Sequence, residues 1–232
     1  MGKELINFQK RILLQLSYLK DIKIKGKFNG ATGNYSAHKV TYPEIDWPTN
    51  INKYLKSLGL DMNTHTTQIE PHDYIADLCF QINHINSILI GFSQDIWSYI
   101  SKNYFSQKNI PGEIGSSTMP HKINPINFEN AEGNLGMCNA LTGFFANKLT
   151  ISRLQRDLSD STVLRNLGLM FAYSLIAYKN IMIGLNKLDI NKVKINDDID
   201  NSWEILAEPI QMVARKYNIS NSYEYLKKYT RG

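Results

Sequence analysis

The chain has 232 residues, of which 43% are hydrophobic and 20% charged, a balance that predicts a folded core and excludes an intrinsically disordered chain. Its net charge of +5 is dispersed, so it allows phosphate or carboxylate ligands but does not predict nucleic-acid binding. Cys79 and Cys138 lie among apolar residues and are predicted core thiols, which favours a reducing cytoplasm. We see no zinc-type spacing of cysteine or histidine and no apolar run of membrane-spanning length, so we expect no metal, no cofactor and no membrane partner.

The first part of the chain predicts two helices separated by turns. Apolar residues at helical spacing indicate an amphipathic helix over residues 3–22. Glycines and asparagines between residues 26 and 46 mark turns, and we predict a loop or short hairpin there. A short helix is expected from Trp47 to about Leu58, closed by Gly59. The polar stretch from Asp61 to Glu70 is a predicted loop, and such loops often hold binding groups.

The longest predicted helix runs from about His72 to Gln107. Its apolar residues recur at intervals of three and four, the seam typical of a helix in a bundle: Ile82, Ile85, Leu89, Phe92, Ile96 and Tyr99. At about 1.5 Å per residue this helix would be on the order of 50 Å long, more than a small monomer needs. We therefore expect an oligomeric bundle core.

Proline and glycine interrupt the pattern over residues 108–125, which predicts a loop. The helix expected from about Ile126 to Lys148 carries small residues on one stripe that would permit another helix to approach closely: Gly133, Gly136, Ala140 and Gly143.

A further loop is predicted over residues 153–160, and Ser161 is predicted to be the N-cap of a long apolar helix ending near Asn186. Two shorter helices follow, near residues 202–216 and 222–228. Because strand patterns are almost missing, the predicted fold class is all-α, a bundle of long helices.

The loop before Ile126 holds the most reactive combination of side chains. Two serines follow a glycine, and a lysine lies six positions after the first serine, where its charge can stabilise an oxyanion or a serine alkoxide. The alternative is a polar connecting loop in which Ser117 or Asn124 only caps a helix. The segment reads Gly115-Ser116-Ser117-Thr118-Met119-Pro120-His121-Lys122-Ile123-Asn124-Pro125.

This segment resembles the Gly-Ser-Ser-x-Met-Pro-x-Lys-x-Asn-Pro pattern of the fumarase/aspartase superfamily, with every fixed position filled. The stretches 66–73 and 156–166, together with 127–130, are similar to the adenylosuccinate lyase family within it, in its bacterial form. The resemblance covers essentially the whole chain. It implies the central helical-bundle domain over residues 1–190 and the start of a C-terminal helical domain over residues 191–232.

The resemblance implies a β-elimination that releases fumarate from adenylosuccinate, giving AMP, and from SAICAR, giving AICAR. Ser116 matches the catalytic base, Ser117 matches a substrate contact, and Lys122 and Asn124 match groups that hold the succinyl carboxylate. The other matched substrate-binding positions are Gln68, Ile123, Asn130, Arg156, Ser161, Thr162, Val163, Leu164 and Arg165.

Ser161 and Arg165 also suit a phosphate on physical grounds, because a helix N-terminus and a guanidinium both favour anions. The alternative for Arg156 and Arg165 is a surface ion pair with Asp157 or Asp160. His72 and His121 could each be mistaken for the general acid, and their titration range alone does not decide it.

The sequence departs from the family in one respect that matters for catalysis. The family's general acid is a histidine in a His-Gly-Gln-Pro segment, and this sequence has no such segment. Relative to the family, an N-terminal domain and the last helices are missing, so we expect these 232 residues alone to be inactive, although the intact family member is a homotetrameric cytoplasmic lyase. Two alternatives stay open: another fumarate-releasing lyase, such as one acting on argininosuccinate, or a non-catalytic structural bundle.

Overall fold

A computed structural model describes residues 1–108, 119 and 123–231. This part of the chain is mostly helical, which confirms the predicted all-α class. The helices are α1 (Gly2–Asp21), α2 (Ser36–Thr41), α3 (Trp47–Ser57), α4 (Asp73–Ser101), α5 (Ile126–Leu149), α6 (Ser159–Leu164), α7 (Leu167–Asn186), α8 (Lys192–Asp200), α9 (Ala207–Lys216) and α10 (Ser222–Thr230), with a 3-10 turn at Trp203–Leu206.

Four short strands accompany the helices and were not expected from the sequence. The strands β1 (Lys25–Gly26) and β2 (Asp61–Met62) pair in parallel, so the first glycine-rich stretch is not a hairpin. The strands β3 (Phe105–Gln107) and β4 (Leu188–Ile190) pair antiparallel. Strands of two or three residues are too short to show an alternating pattern, which explains why the sequence does not reveal them.

Helix bounds differ from the predictions at three places. The long helix α4 ends at Ser101 and not near Gln107, because the chain turns at Asn103, whose φ is +59°, and enters β3. The predicted helix from Ser161 to Asn186 is two helices, α6 and α7, with Arg165 following the last residue of α6. Helices α2 and α8 were not predicted; both are short.

The chain divides into two compact units. The first contains residues 1–97 and 123–186, and the second contains residues 98–108 and 187–231. The domain boundary expected at residue 190 stays a prediction about the family's organisation.

The main core of the first unit is built by α4, α5, α6 and α7. Cys79 and Cys138 are fully buried in it, as predicted, and burial raises the pKa of the Cys79 thiol to about 11. The α4 seam is confirmed at Ile82, Ile85, Phe92 and Ile96, which are all buried. A polar contact crosses between helices in this core: the Tyr178 hydroxyl donates to Asn86 Oδ1 at 2.7 Å.

The small-residue stripe of α5 does not meet another helix in the described part of the chain. A Cβ atom added at Gly133, Gly136 or Gly143 would have no described atom within 4 Å. The close approach occurs at Gly184 of α7, where an added Cβ would lie 2.8 Å from the Phe128 ring of α5. The close approach predicted for the α5 stripe therefore stays a prediction, and the one at Gly184 was not predicted.

Two segments, Asp73–Ser101 and Ser159–Asn186, are long and apolar enough to cross a membrane by length and composition alone, so the expectation of no such run was wrong. Buried core helices of soluble proteins pass the same test. Because α4 supplies ten buried residues to the packing of this chain, its apolar character has a structural explanation without a membrane.

Candidate functional site

Lys27 holds the polar loop that contains Gln68 in place through hydrogen bonds to its backbone. We call residues 63–70 the Gln68 loop. Lys27 Nζ donates to the carbonyl oxygens of Gln68 at 2.6 Å, Thr67 at 3.3 Å and Gly30 at 2.7 Å. Partial burial lowers the pKa of the Lys27 amine. Two of these charge-assisted hydrogen bonds fix the backbone of the Gln68 loop and the third joins Lys27 to Gly30, while the Gln68 side chain is exposed.

A second contact fastens the same loop through side chains. Asn29 is buried, and its amide exchanges hydrogen bonds with the Thr66 hydroxyl: Nδ2 donates at 2.9 Å, and Oδ1 lies 3.1 Å from Oγ1. Gly33 passes directly beneath the Thr66 carbonyl, with a φ of +75°. The turn-rich stretch that begins at Gly26 therefore serves as a support for the Gln68 loop.

The Gln68 loop touches the segment that precedes α6. The backbone N–H of Gln68 donates to the carbonyl oxygen of Gln155 at 3.2 Å, and Gln155 is the neighbour of Arg156. These residues are 87 positions apart in sequence. Two of the predicted site segments, 66–73 and 156–166, are therefore brought together in the first unit.

Asp157 fixes the turn that carries Arg156. Its Oδ1 accepts from the Ser159 N–H at 2.6 Å, and its own N–H donates to Ser152 Oγ at 3.1 Å. The Ser159 hydrogen bonds, with smaller contributions from the Arg153 and Lys148 cations, hold the pKa of this carboxyl below its ordinary value. Asp157 thus forms hydrogen bonds to residues on both sides of Arg156, to Ser152 before it and to Ser159 after it.

Ser161 is not the N-cap that the sequence predicted. Helix α6 begins at Ser159, and Ser161 lies in its first turn, where its hydroxyl donates to the Leu158 carbonyl at 2.8 Å. Its backbone N–H donates to Asp160 Oδ1 at 2.7 Å. The prediction failed because Asp157 and Ser159, four and two residues earlier, already form a hydrogen-bonded turn that starts the helix sooner.

Arg156 and Arg165 are both exposed, and neither forms an ion pair with any residue that the structure describes. The carboxylate of Asp157 lies 3.7 Å from Arg153 Nε and 4.0 Å from Lys148 Nζ. The surface-pair alternative is therefore not realised among the described residues. No described residue neutralises either guanidinium group, an arrangement that suits the binding of an anion.

The remaining residues of α6 differ in exposure. Thr162 is exposed and Leu164 half-buried, while Val163 is buried in the core cluster. Val163 can therefore meet a ligand through its backbone but not through its side chain.

The other predicted positions lie around the start of α5. Asn130 is exposed, and its Oδ1 accepts from Asn134 Nδ2 at 3.0 Å. Ile123 is exposed and Asn124 half-buried, just before the first helical residue Ile126. Within the described ranges, no hydrogen bond connects Asn130 to the Gln68 loop or to residues 156–166. Ser116, Ser117, His121 and Lys122 lie outside the described residues.

Lys27 and Asn29 were not recognised from the sequence as site residues. The signal that could have found them is the glycine- and asparagine-rich stretch around them, which marks a backbone able to approach another loop closely. Their partners lie about 40 residues further along, as in the Lys27–Gln68 bond, and local patterns carry no information about such pairs.

Comparison with known proteins agrees with the motifs. Residues 1–141 match the family model described as "Lyase", and residues 152–232 match the one described as "Adenylosuccinate lyase C-terminal". Similar relatives are the adenylosuccinate lyases of Legionella pneumophila (strain Corby), 59% identical, of Buchnera aphidicola subsp. Schizaphis graminum, 58% identical, and of Escherichia coli (strain K12), 54% identical. Each alignment covers all of this chain and 51% of the relative.

The chain thus spans about half the length of the curated relatives it matches. The first family model alone covers more than half of the 232 residues, and the second covers most of the remainder. The chain belongs to the lyase family, in its adenylosuccinate lyase branch.

Proposed function

We propose that this chain forms part of an enzyme that cleaves adenylosuccinate to AMP and fumarate, and SAICAR to AICAR and fumarate. In this β-elimination a base removes a proton from the carbon next to a succinyl carboxylate, the C–N bond breaks, and an acid protonates the departing nitrogen. The observation that carries the proposal is the contact of the Gln68 loop with the turn before α6, since both segments match substrate-binding positions of the family.

The proposed site residues fall into two groups, those at the reacting succinyl part and those that only contact the substrate. Ser116 is the proposed base, Lys122 and Asn124 hold the succinyl carboxylate, and Lys122 stabilises the negative charge that develops there. Ser117 and Ile123 are proposed substrate contacts. Gln68 and Asn130 are further proposed substrate contacts.

The proposed phosphate and ribose site consists of Arg156 together with residues 161–165. Arg156 and Arg165 are exposed cations that form no ion pair with another described residue, which suits a dianionic phosphate. This site uses guanidinium groups, and the six-residue helix α6 is too short for its dipole to add much.

The general acid is proposed to come from outside these 232 residues, because the family's His-Gly-Gln-Pro segment is not in the sequence. The proposed assembly is a homotetramer in the cytoplasm, acting without a metal or cofactor and without nucleic-acid or membrane partners. Its ligands are adenylosuccinate, SAICAR, AMP and fumarate.

A chimera tests this function. Residues 1–232 replace the matching half of the Escherichia coli relative, which is 54% identical over that span. We expect the chimera to release fumarate from adenylosuccinate and from SAICAR, measured by absorbance, and we expect the 232-residue chain alone to release none. Argininosuccinate, offered in the same assay, should not be cleaved.

Variants of the chimera test the proposed base. Ser116→Ala should lower kcat by about 10²- to 10⁴-fold, the range of a lost acid–base group. Ser57→Ala is the matched control, because that hydroxyl is exposed and only donates to the Tyr54 carbonyl of its own helix. A folded tetrameric chimera that releases no fumarate, or that is unaffected by Ser116→Ala, would contradict the proposal and favour a structural bundle.

A further inference from the structure

His72 combines two features that are each unfavourable by themselves. Its backbone φ is +65°, a left-handed conformation that costs a non-glycine residue about 1–2 kcal/mol. Both of its ring nitrogens are buried, and neither has a hydrogen-bond partner among the described residues. Strain and buried unsatisfied groups persist where the surrounding structure imposes them, and they concentrate at functional sites.

The ring lies between two carboxylates. His72 Nδ1 is 3.7 Å from Glu70 Oε2, and Nε2 is 3.5 Å from Asp160 Oδ2. The three side chains are largely buried, with 10% to 12% of their surface exposed. The imidazole is thus the group that separates two buried acids, which would otherwise face each other in a medium that screens charge poorly.

Each carboxylate is also bonded to its own segment. Glu70 Oε1 accepts from Asn63 Nδ2 at 2.9 Å, and this bond joins the first and last residues of the Gln68 loop. Glu70 Oε2 accepts from the His72 N–H at 2.7 Å. Asp160 Oδ1 accepts from the Ser161 N–H at 2.7 Å in the first turn of α6. The ring therefore connects the Gln68 loop to the helix that leads to Arg165.

We propose that His72 is a positioning residue that fixes the spacing between the Gln68 loop and residues 161–165, so that both segments contact one substrate. It acts through Glu70 and Asp160 and does not itself touch the substrate. This inference rests on the proposed function, because that function places Gln68 and the 161–165 segment on the same molecule.

Two amide substitutions distinguish the loss of the contact between His72 and Asp160 from an effect on the local backbone. His72→Gln places an amide near the position of Nε2 and so keeps a polar group toward Asp160. His72→Asn reaches only as far as Nδ1 and loses the group toward Asp160, although asparagine tolerates a positive φ better than most residues.

Steady-state kinetics of the chimera with adenylosuccinate give the test. We expect His72→Asn to raise KM about tenfold or more with kcat changed less than about threefold, because substrate binding is lost while the reacting groups stay in place. His72→Gln should recover most of the KM. A purely structural role would remove active molecules and lower kcat with KM unchanged. His84→Asn, an exposed histidine of α4, is the matched control and should leave both constants unchanged.

If His72→Asn does not fold, Asp160→Asn provides the same test from the other side of the bridge and should raise KM in the same way. An unchanged KM in the variant that folds, a loss of kcat alone, or a His72→Gln variant no better than His72→Asn overturns the inference. A chimera without fumarate release overturns both proposals, whereas an active chimera whose KM does not depend on His72 overturns this one alone.

Discussion

At the residue scale, Asp157 shows how one ionised carboxylate can fix a turn. It accepts the Ser159 N–H at 2.6 Å in front of α6, and Arg153 and Lys148 lie 3.7 and 4.0 Å from its other oxygen. The hydrogen bonds from Ser159 are the main reason that the pKa of Asp157 lies below its ordinary value of 3.8. The turn that carries Arg156 is therefore sensitive to acid.

We predict a pH-dependent effect of Asp157→Asn. A carboxyl whose pKa is lowered by folding stabilises the fold above its unfolded pKa, and this contribution is lost as the pH falls through the folded pKa. The variant should thus be less stable than the parent chain at about pH 7, and the difference should shrink as the pH falls below the ordinary carboxyl pKa of 3.8. Urea unfolding at several pH values measures it, and a difference that is constant with pH would contradict the assignment.

At the element scale, the turn-rich stretch around Gly33 and the Gln68 loop depend on each other. Lys27 and Asn29 bind the loop from one side, and Gly33 runs beneath Thr66 so closely that a Cβ atom would collide with the Thr66 carbonyl oxygen. The backbone of the Gln68 loop cannot move away without breaking the Lys27 and Asn29 hydrogen bonds. The support is therefore as important as the loop for placing Gln68.

Two glycine substitutions separate this close contact from backbone strain. Gly33 and Gly59 have nearly equal φ angles, +75° and +77°, but a Cβ at Gly59 would have no atom within 4 Å. We expect Gly59→Ala to lower the free energy of unfolding by about 1 kcal/mol through strain alone. Gly33→Ala should cost about 3 kcal/mol or more, because the collision adds to the strain. Equal effects in urea unfolding would show that the loops do not press on each other.

At the scale of the whole molecule, α7 leaves much apolar surface uncovered. Met170, Ser174, Ala177 and Ile181 are buried along one face, whereas Leu175 and Ile183 are about half exposed. A groove of about 530 Å³ beside α7 is lined mainly by apolar side chains of α1, α4 and α7, including Phe171. Exposed apolar surfaces of this kind mark association sites.

We predict that the 232-residue chain associates with copies of itself through the exposed face of α7. Sedimentation at micromolar concentration should show oligomers, and Leu175→Asp should shift them toward monomer, because a buried unpaired charge opposes association. Val40→Asp is the control, since Val40 is 86% exposed on α2 away from this groove. A monomer at that concentration, or equal effects of the two variants, would count against the prediction.

The sequence by itself determined the family, the helical class and the burial of the α4 seam and of Cys79 and Cys138, because helical periodicity and a long motif are local properties of the chain. It missed that α6 starts at Ser159, since hydrogen bonds around Asp157 and Asp160 compete with apolar spacing there, and that α6 ends before α7, where the Asn166 N–H donates to the Val163 carbonyl. Only the tertiary structure decided that the Gln68 loop rests on Lys27 and Asn29 and meets the turn before α6. Those contacts join residues that are 37 to 87 positions apart, and what selects them is the packing of the whole bundle.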